Sequence, residues 1–357
     1  MIKYWWREIH SLENEKPREA HLIMTAMGKY GLNLLSNIHD SIDDLKSAGF
    51  INIGGDILSA SEVRQLRDLS GELLLQFEQE TRTATAPTDF KRTGVGEGAW
   101  ALTRLSQHHP AISQTIDKVV SDKNVKTILK SILGTNYKIW EISLRRSSPG
   151  DTGLYLHQDA LGQINLVILL TDNLAGDGAT SFLPKSHLVA KTAKSLRVEA
   201  PPVLLNFMRG LLKPFTGRAG DIGFFFNRTW HGRFSNQSTK SHDVILIAFF
   251  PSGATFGFGG SYLEPSQKYL SEIKGTELSR LLDPGYGTEL VADKLYKVAS
   301  DGGNTEAPFS LQIADPVGHN LKTAGWRAYV VILLLRIIMP LGRIARRGMA
   351  SNRVDTK

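Results

Sequence analysis

"YKIWEISLRR", Tyr137–Arg146, is where the chain changes its hydrophobic period from helical to alternating. Lys138, Trp140, Ile142, Leu144 and Arg146 fall on one face of an alternating run, the pattern of a half-buried strand. Pro149-Gly150 closes it with a turn. Downstream come "GLYLHQDA", "INLVILLTD", "ATSFLPKSH", "VLLNFM", "DIGFFFNRTWHGRF" and "DVILIAFFPSG", short β-rich runs divided by Gly, Asp, Asn and Pro. Several strands at this spacing predict a sandwich or barrel, so the fold class is mainly β with helices added.

Upstream the period is helical. A helix ends near Gly49, a short apolar stretch runs from Phe50 to Ile53, and Ser59 opens a new helix. Glu62 stands three residues beyond Ser59, the capping-box spacing, and Val63, Leu66 and Leu69 continue at helical intervals. Residues 81–99, "TRTATAPTDFKRTGVGEGA", read as a Gly- and Thr-rich loop that could cover a site. A further helical segment spans about His109 to Leu133, and helices return after Pro251, clearest in "GGSYLEPSQKYLSEIKGTELSRLLDPGYG".

The 357 residues contain no cysteine, which removes disulfides, thiolate metal sites and cysteine nucleophiles together. Any metal must be held by His and carboxylates. The net charge of +7 favours anionic partners, but no nucleic-acid motif accompanies it, so no nucleic-acid partner is expected. The first residues, "MIKYWWREIHSLENEKPREAH", hold no continuous apolar core of signal-peptide length, which makes a cytoplasmic protein the expectation.

Near the other end, "WRAYVVILLLRIIMPLGRIARRGM" is apolar but broken by Arg336 and Pro340, too short and charged for the roughly 20 apolar residues a span needs. Arg336, Arg343 and Arg347 share one narrow helical face. Residues 326–347 therefore read as an amphipathic helix, lying peripherally on the inner membrane face or packed on protein.

On a strand His157 and Asp159 of "YLHQDAL" project to one side, so both can meet one ion. A metal needs a third ligand, and His231 in "GDIGFFFNRTWHGRFSNQS", at the end of another aromatic-rich strand, is the best candidate. Two histidines and one carboxylate on one face of an octahedron leave three positions open, the arrangement of non-haem Fe(II) oxygen chemistry.

Four motifs in order carry a resemblance: "LKSAGFINI" with "LSASEV", then "HQD", then "LLTDNLAGDGATSFLPKSH", then "AGDIGFFFNRTWHGRFSNQS". From about Leu45 to Ser252 the chain resembles the phytanoyl-CoA dioxygenase-like family of Fe(II)/2-oxoglutarate-dependent oxygenases. The resemblance implies a double-stranded β-helix, a cupin-like jelly roll with flanking helices. It implies Fe(II) at His157, Asp159 and His231, with 2-oxoglutarate and O2 as cosubstrates, and hydroxylation rather than halogenation because Asp159 is present. His187 matches a motif histidine that does not bind metal.

The family commonly places an arginine about eleven residues beyond the distal histidine to hold the remote carboxylate of 2-oxoglutarate. Here that position is His242. Candidates for the anchor are Lys240 and His242, then Arg146, an inward charge on its strand; Arg233 is also near the triad in sequence.

Four segments follow: a helical extension over 1–44, the oxygenase domain over 45–252, a helical and loop extension over 253–325, and the helix over 326–347. The expected activity is hydroxylation of a small molecule, a biosynthetic intermediate or a lipid- or glycolipid-linked substrate. The alternative is a non-catalytic metal-binding jelly roll acting as a binding module, favoured by His242 at the arginine position.

Overall fold

In the computed structural model the described residues are 38–82, 90–92, 99–159, 162–174, 176–188, 211–251, 265–282 and 309–312. The segment "VLLNFM", most of the 81–99 loop, residues 1–37 of the N-terminal extension, most of 253–325 and the 326–347 helix lie outside them. The chain divides into two units, Met1–Ser41 and Ile42–Lys357; of the first only Ile38–Ser41 is described.

Helix α1 (Ile38–Ala48) stops at Gly49, whose φ of +92° only glycine adopts cheaply. A Cβ there would also sit 2.5 Å from both His187 Nδ1 and Thr229 Oγ1. The apolar stretch after it is β1 (Phe50–Gly54). Helix α2 (Ala60–Arg82) starts at the expected box: Glu62 Oε2 accepts from Ser59 N at 2.8 Å, and Ser59 Oγ accepts from Glu62 N at 3.3 Å. The short strands β2 (Phe90–Arg92) and β3 (Ala99–Leu102) come next.

The helical segment expected from about His109 to Leu133 consists of two helices, α3 (Pro110–Ser121) and α4 (Lys123–Leu133). Asp122 between them takes ψ 140°, and its carboxylate accepts from Asn124 N and Val125 N. The side chain caps a new helix instead of continuing the old one.

Eight strands then build the roll: β4 (Tyr137–Ser147), β5 (Leu154–His157), β6 (Ile164–Leu169), β7 (Thr180–Phe182), β8 (Lys213–Pro214), β9 (Ile222–Phe226), β10 (His231–Arg233) and β11 (His242–Pro251). One sheet runs β1-β9-β6-β11-β4-β3-β2 and the other β5-β10-β7-β8, all pairs antiparallel. Strands from β4 to β11 are shared between the two sheets as in a double-stranded β-helix, the cupin-like jelly roll that the resemblance implied and one of the sandwich or barrel forms that the alternating pattern allowed. Short helices α5 (Gln267–Glu272), α6 (Glu277–Leu282) and α7 (Phe309–Gln312) complete the described chain.

The large sheet is covered on both faces. Val167, Leu169, Phe182, Phe215 and Phe225 form a core cluster to which Phe50, Val244 and Leu246 pack, joining the two sheets. The opposite face of β4 and β11 carries Leu144, Ile245 and Ile247, all fully buried, each worth about 2 kcal/mol of burial. Helices cover that side, with the Arg280 guanidinium of α6 5.7 Å from the centroid of the Tyr137 ring.

Candidate metal centre

His157 is the last residue of β5 and His231 the first of β10, and the two are direct partners across the antiparallel pair. This places their rings 4.4 Å apart, centroid to centroid. His231 therefore opens a strand instead of ending one: the aromatic run breaks at a turn, where Thr229 N donates to Phe226 O at 2.8 Å. Asp159 lies just past β5, not on the strand. Its N–H leaves the ladder and donates to Asn227 O at 2.9 Å, while Gln158 Nε2 donates to Arg228 O at 2.6 Å. The loops before β10 thus hold the chain after β5, and the carboxylate turns back towards both rings.

Asp159 Oδ1 is 3.5 Å from His157 Nε2, and Oδ2 is 3.4 Å from His231 Nε2. One ligand atom from each of His157, Asp159 and His231 lies within 4.8 Å of the others, and among the described residues this group could hold a metal ion. His231 Nδ1 is 2.7 Å from Thr229 O. A carbonyl only accepts, so Nδ1 carries the proton and the Nε2 lone pair is left for a metal, the orientation that outer partners impose on ligating histidines. Burial pushes the Asp159 carboxyl up, but with no metal bound the positive charge and Nε2–H donation of His157 and His231 in their protonated form outweigh it and hold it well below the usual carboxylate range; a metal takes the place of those Nε2 protons. All three donors are nitrogen or oxygen, which suits Fe(II) and leaves open positions.

Phe182 and Phe225 stand 6.2 and 5.1 Å from the His231 ring, an apolar wall on the side of the core. Asn165 shares that inner face, partnered with Phe225 across β6–β9 and Ala248 across β6–β11. Its Nδ2 donates to Asn227 Oδ1 and Asn227 Nδ2 to Gln163 Oε1, whereas Asn165 Oδ1 is buried with no hydrogen-bond partner. A single amide in the apolar run "INLVIL" was the sequence signal for it.

His187 stays outside the cluster: its Nε2 donates to Lys46 O at 2.9 Å and its ring stacks on Phe226. The Asn-x-Ser of the last motif is a turn, Asn236 Oδ1 accepting from Ser238 N and Oγ at 3.0 and 2.8 Å.

The expected anchors are scattered. Lys240 is exposed in the turn before β11, so it does not share a strand face with His242. His242 faces inward but is engaged: Nδ1 donates to Asp172 O at 3.0 Å, and Nε2 is 3.1 Å from Ser238 Oγ. Arg146 is not an inward charge. It lies on the helix-covered face with Leu144 and forms a two-pronged pair with Asp243. That hydrogen-bonded pair raises the Arg146 pKa further.

The inner face instead holds Arg145, directly across from Val244, donating to Ser143 Oγ at 3.0 Å and Glu141 Oε1 at 2.8 Å. From the other sheet Arg233 follows His231 by two residues, its Nη2 2.5 Å from Asp151 Oδ2. Burial lowers the Arg233 pKa and the nearby Arg145 charge lowers it further, while Asp151 opposes them.

A jelly roll with His-x-Asp and a distal histidine facing one point defines the class of non-haem iron, 2-oxoglutarate-dependent dioxygenases. The chain belongs to the phytanoyl-CoA dioxygenase (PhyH) family, whose sequence model matches residues 45–244. Among curated relatives, a 133-residue match to the dioxygenase af480 of Aspergillus fumigatus is 27% identical and covers 34% of this chain and 40% of that protein. The ectoine dioxygenase of Bordetella parapertussis is 24% identical over 270 residues, 64% of this chain and 87% of the relative. Among solved structures, AviO1 from Streptomyces viridochromogenes Tue57 is 17% identical with a TM-score of 0.47, covering 61% of this chain and 97% of that one.

Proposed function

We propose that residues 45–252 form an oxygenase domain that hydroxylates a small-molecule substrate, with His157, Asp159 and His231 as the ligands of Fe(II). The observation that carries this reading is the convergence of one nitrogen from each histidine and one carboxylate oxygen within 4.8 Å of one another. Iron bound there would couple O2 and 2-oxoglutarate to C–H oxidation, one oxygen atom entering succinate, the other the substrate, with loss of CO2.

The chain's own part is positional. The Thr229 carbonyl fixes the tautomer of His231. Asn227 holds the loop that aims Asp159. Phe182 and Phe225 exclude water from the core side of the centre, and the half-exposed Asp159 marks the open side. The buried Asn165 Oδ1 is an acceptor available to a donor arriving in the site.

Formation of succinate from 2-oxoglutarate, dependent on Fe(II) and O2, tests the activity. Asp159→Ala should abolish it; undiminished turnover in that variant overturns the ligand assignment.

A lipid- or glycolipid-linked substrate at the cytoplasmic face of a membrane is the finer proposal. The stripe of Arg336, Arg343 and Arg347 supports it. No helix of the described residues is long and apolar enough to cross a membrane. Equal pelleting with anionic vesicles before and after removal of residues 325–357 would contradict this finer reading.

A further inference from the structure

The position where the family commonly carries an anchoring arginine is His242, and its imidazole is held by Asp172 O and Ser238 Oγ. Lys240 is exposed, and Arg146 is spent on Asp243 on the other face of the sheet. The remote carboxylate of 2-oxoglutarate still requires a cation reachable from the iron ligands.

Arg233 meets that requirement. It sits two residues beyond His231 on the same face of β10, a step of about 6.6 Å that suits a five-carbon diacid chelated at its other end. Its side chain is 12% exposed. Although Nη2 is ion-paired with Asp151 at 2.5 Å, neither Nε nor Nη2 makes a hydrogen bond of acceptable geometry. Asp151 is itself fully buried and already accepts from Ser147 Oγ at 2.7 Å and Gly153 N at 3.0 Å. Arg145 enters from the facing sheet, close enough for its charge to act on Arg233. Each guanidinium has five N–H donors, and one carboxylate engages at most two of them. Arg145 on the inner face of β4 and Arg233 on β10 therefore leave donors for a further anion.

We propose that Arg233, assisted by Arg145, binds the remote carboxylate of 2-oxoglutarate, the cation having moved from the start of β11 to the end of β10. The proposal rests on the 2-oxoglutarate reading above.

Calorimetric titration of the Ni(II)-loaded full chain tests it, with 2-oxoglutarate and with 2-oxopentanoate, which keeps the chelating end but lacks the remote carboxylate. Arg233→Met and Arg145→Met should each weaken 2-oxoglutarate by on the order of 10- to 100-fold, the value of a charge-assisted hydrogen bond. They should leave Ni(II) and 2-oxopentanoate affinities unchanged, and Lys240→Ala should change nothing. Equal 2-oxoglutarate binding by wild type and Arg233→Met overturns the inference, as does a parallel loss for 2-oxopentanoate, which would mark Arg233 as structural. Failure of the wild type to bind 2-oxoglutarate while it binds Ni(II) would instead overturn the cosubstrate reading.

Discussion

Arg146 and Asp243 face each other across the β4–β11 pair and close a two-pronged ion pair, Nε to Oδ1 at 2.7 Å and Nη2 to Oδ2 at 2.6 Å. The pair lies under helix α2, where a Cβ on Gly71 would be 3.7 Å from Arg146 Nη2, and on the opposite side of the sheet from the metal ligands. Asp243 is 4% exposed, so removing its partner leaves a nearly dry charge. Arg146→Met should cost about 3 kcal/mol in urea unfolding, the low end for broken buried pairs because Arg146 keeps some solvent. Metal and 2-oxoglutarate affinities should not change; a fall in either would place Arg146 at the site.

Gly153 lies where β5 passes β10. Its φ is +92°, and a Cβ would press into the Arg233 carbonyl and come within 2.9 Å of the Phe234 carbonyl carbon. Gly153→Ala should push apart the two strands that pair His157 with His231. Metal affinity should drop by on the order of 10-fold, measured by Ni(II) titration with the far-UV spectrum retained. Unchanged affinity would mean that the strand spacing does not set the ligand geometry.

The box at the start of α2 gives a pH signature. Hydrogen bonds from Lys118 and Ser59 lower the Glu62 pKa from 4.5 to about 2. A folded-state pKa below the unfolded one stabilises the fold above about pH 4.5, and the contribution disappears as pH falls through about 2. Glu62→Gln should therefore destabilise by at most about 1 kcal/mol at pH 7, given its surface position. The difference from wild type should close towards pH 2; a constant difference would assign the effect to packing.

The alternation starting at Tyr137 was enough to read a sandwich or barrel, because strands that bury one face and expose or cover the other keep a period of two; the roll itself came from the resemblance of the four motifs. It was not enough to say which buried face looks inward. Arg146 shares its row with Ile142 and Leu144, and that row is buried beneath helices, so burial alone misdirected the charge; the neighbouring Arg145 was the inward one. A bulge in the β4–β11 register near Trp140 and Glu141 further breaks the count. His157 and Asp159 were legible from their spacing only together with the motif around His231 downstream, and Asp159 reaches the rings through a loop bond to Asn227 that no periodicity encodes. The pairing of Arg233 with Asp151, and its approach to Arg145, depends on two sheets meeting, which is long-range information.

His157, Asp159 and His231 are proposed to hold one Fe(II) with room for a chelating cosubstrate. Anaerobic addition of Fe(II) and then 2-oxoglutarate, followed in the visible region, tests it most directly. One equivalent of iron should give the weak charge-transfer band of the chelate in the wild type and none in Asp159→Ala. Iron binding with no band at millimolar 2-oxoglutarate, or an undiminished band in Asp159→Ala, would rule out this ligand set with 2-oxoglutarate as its cosubstrate.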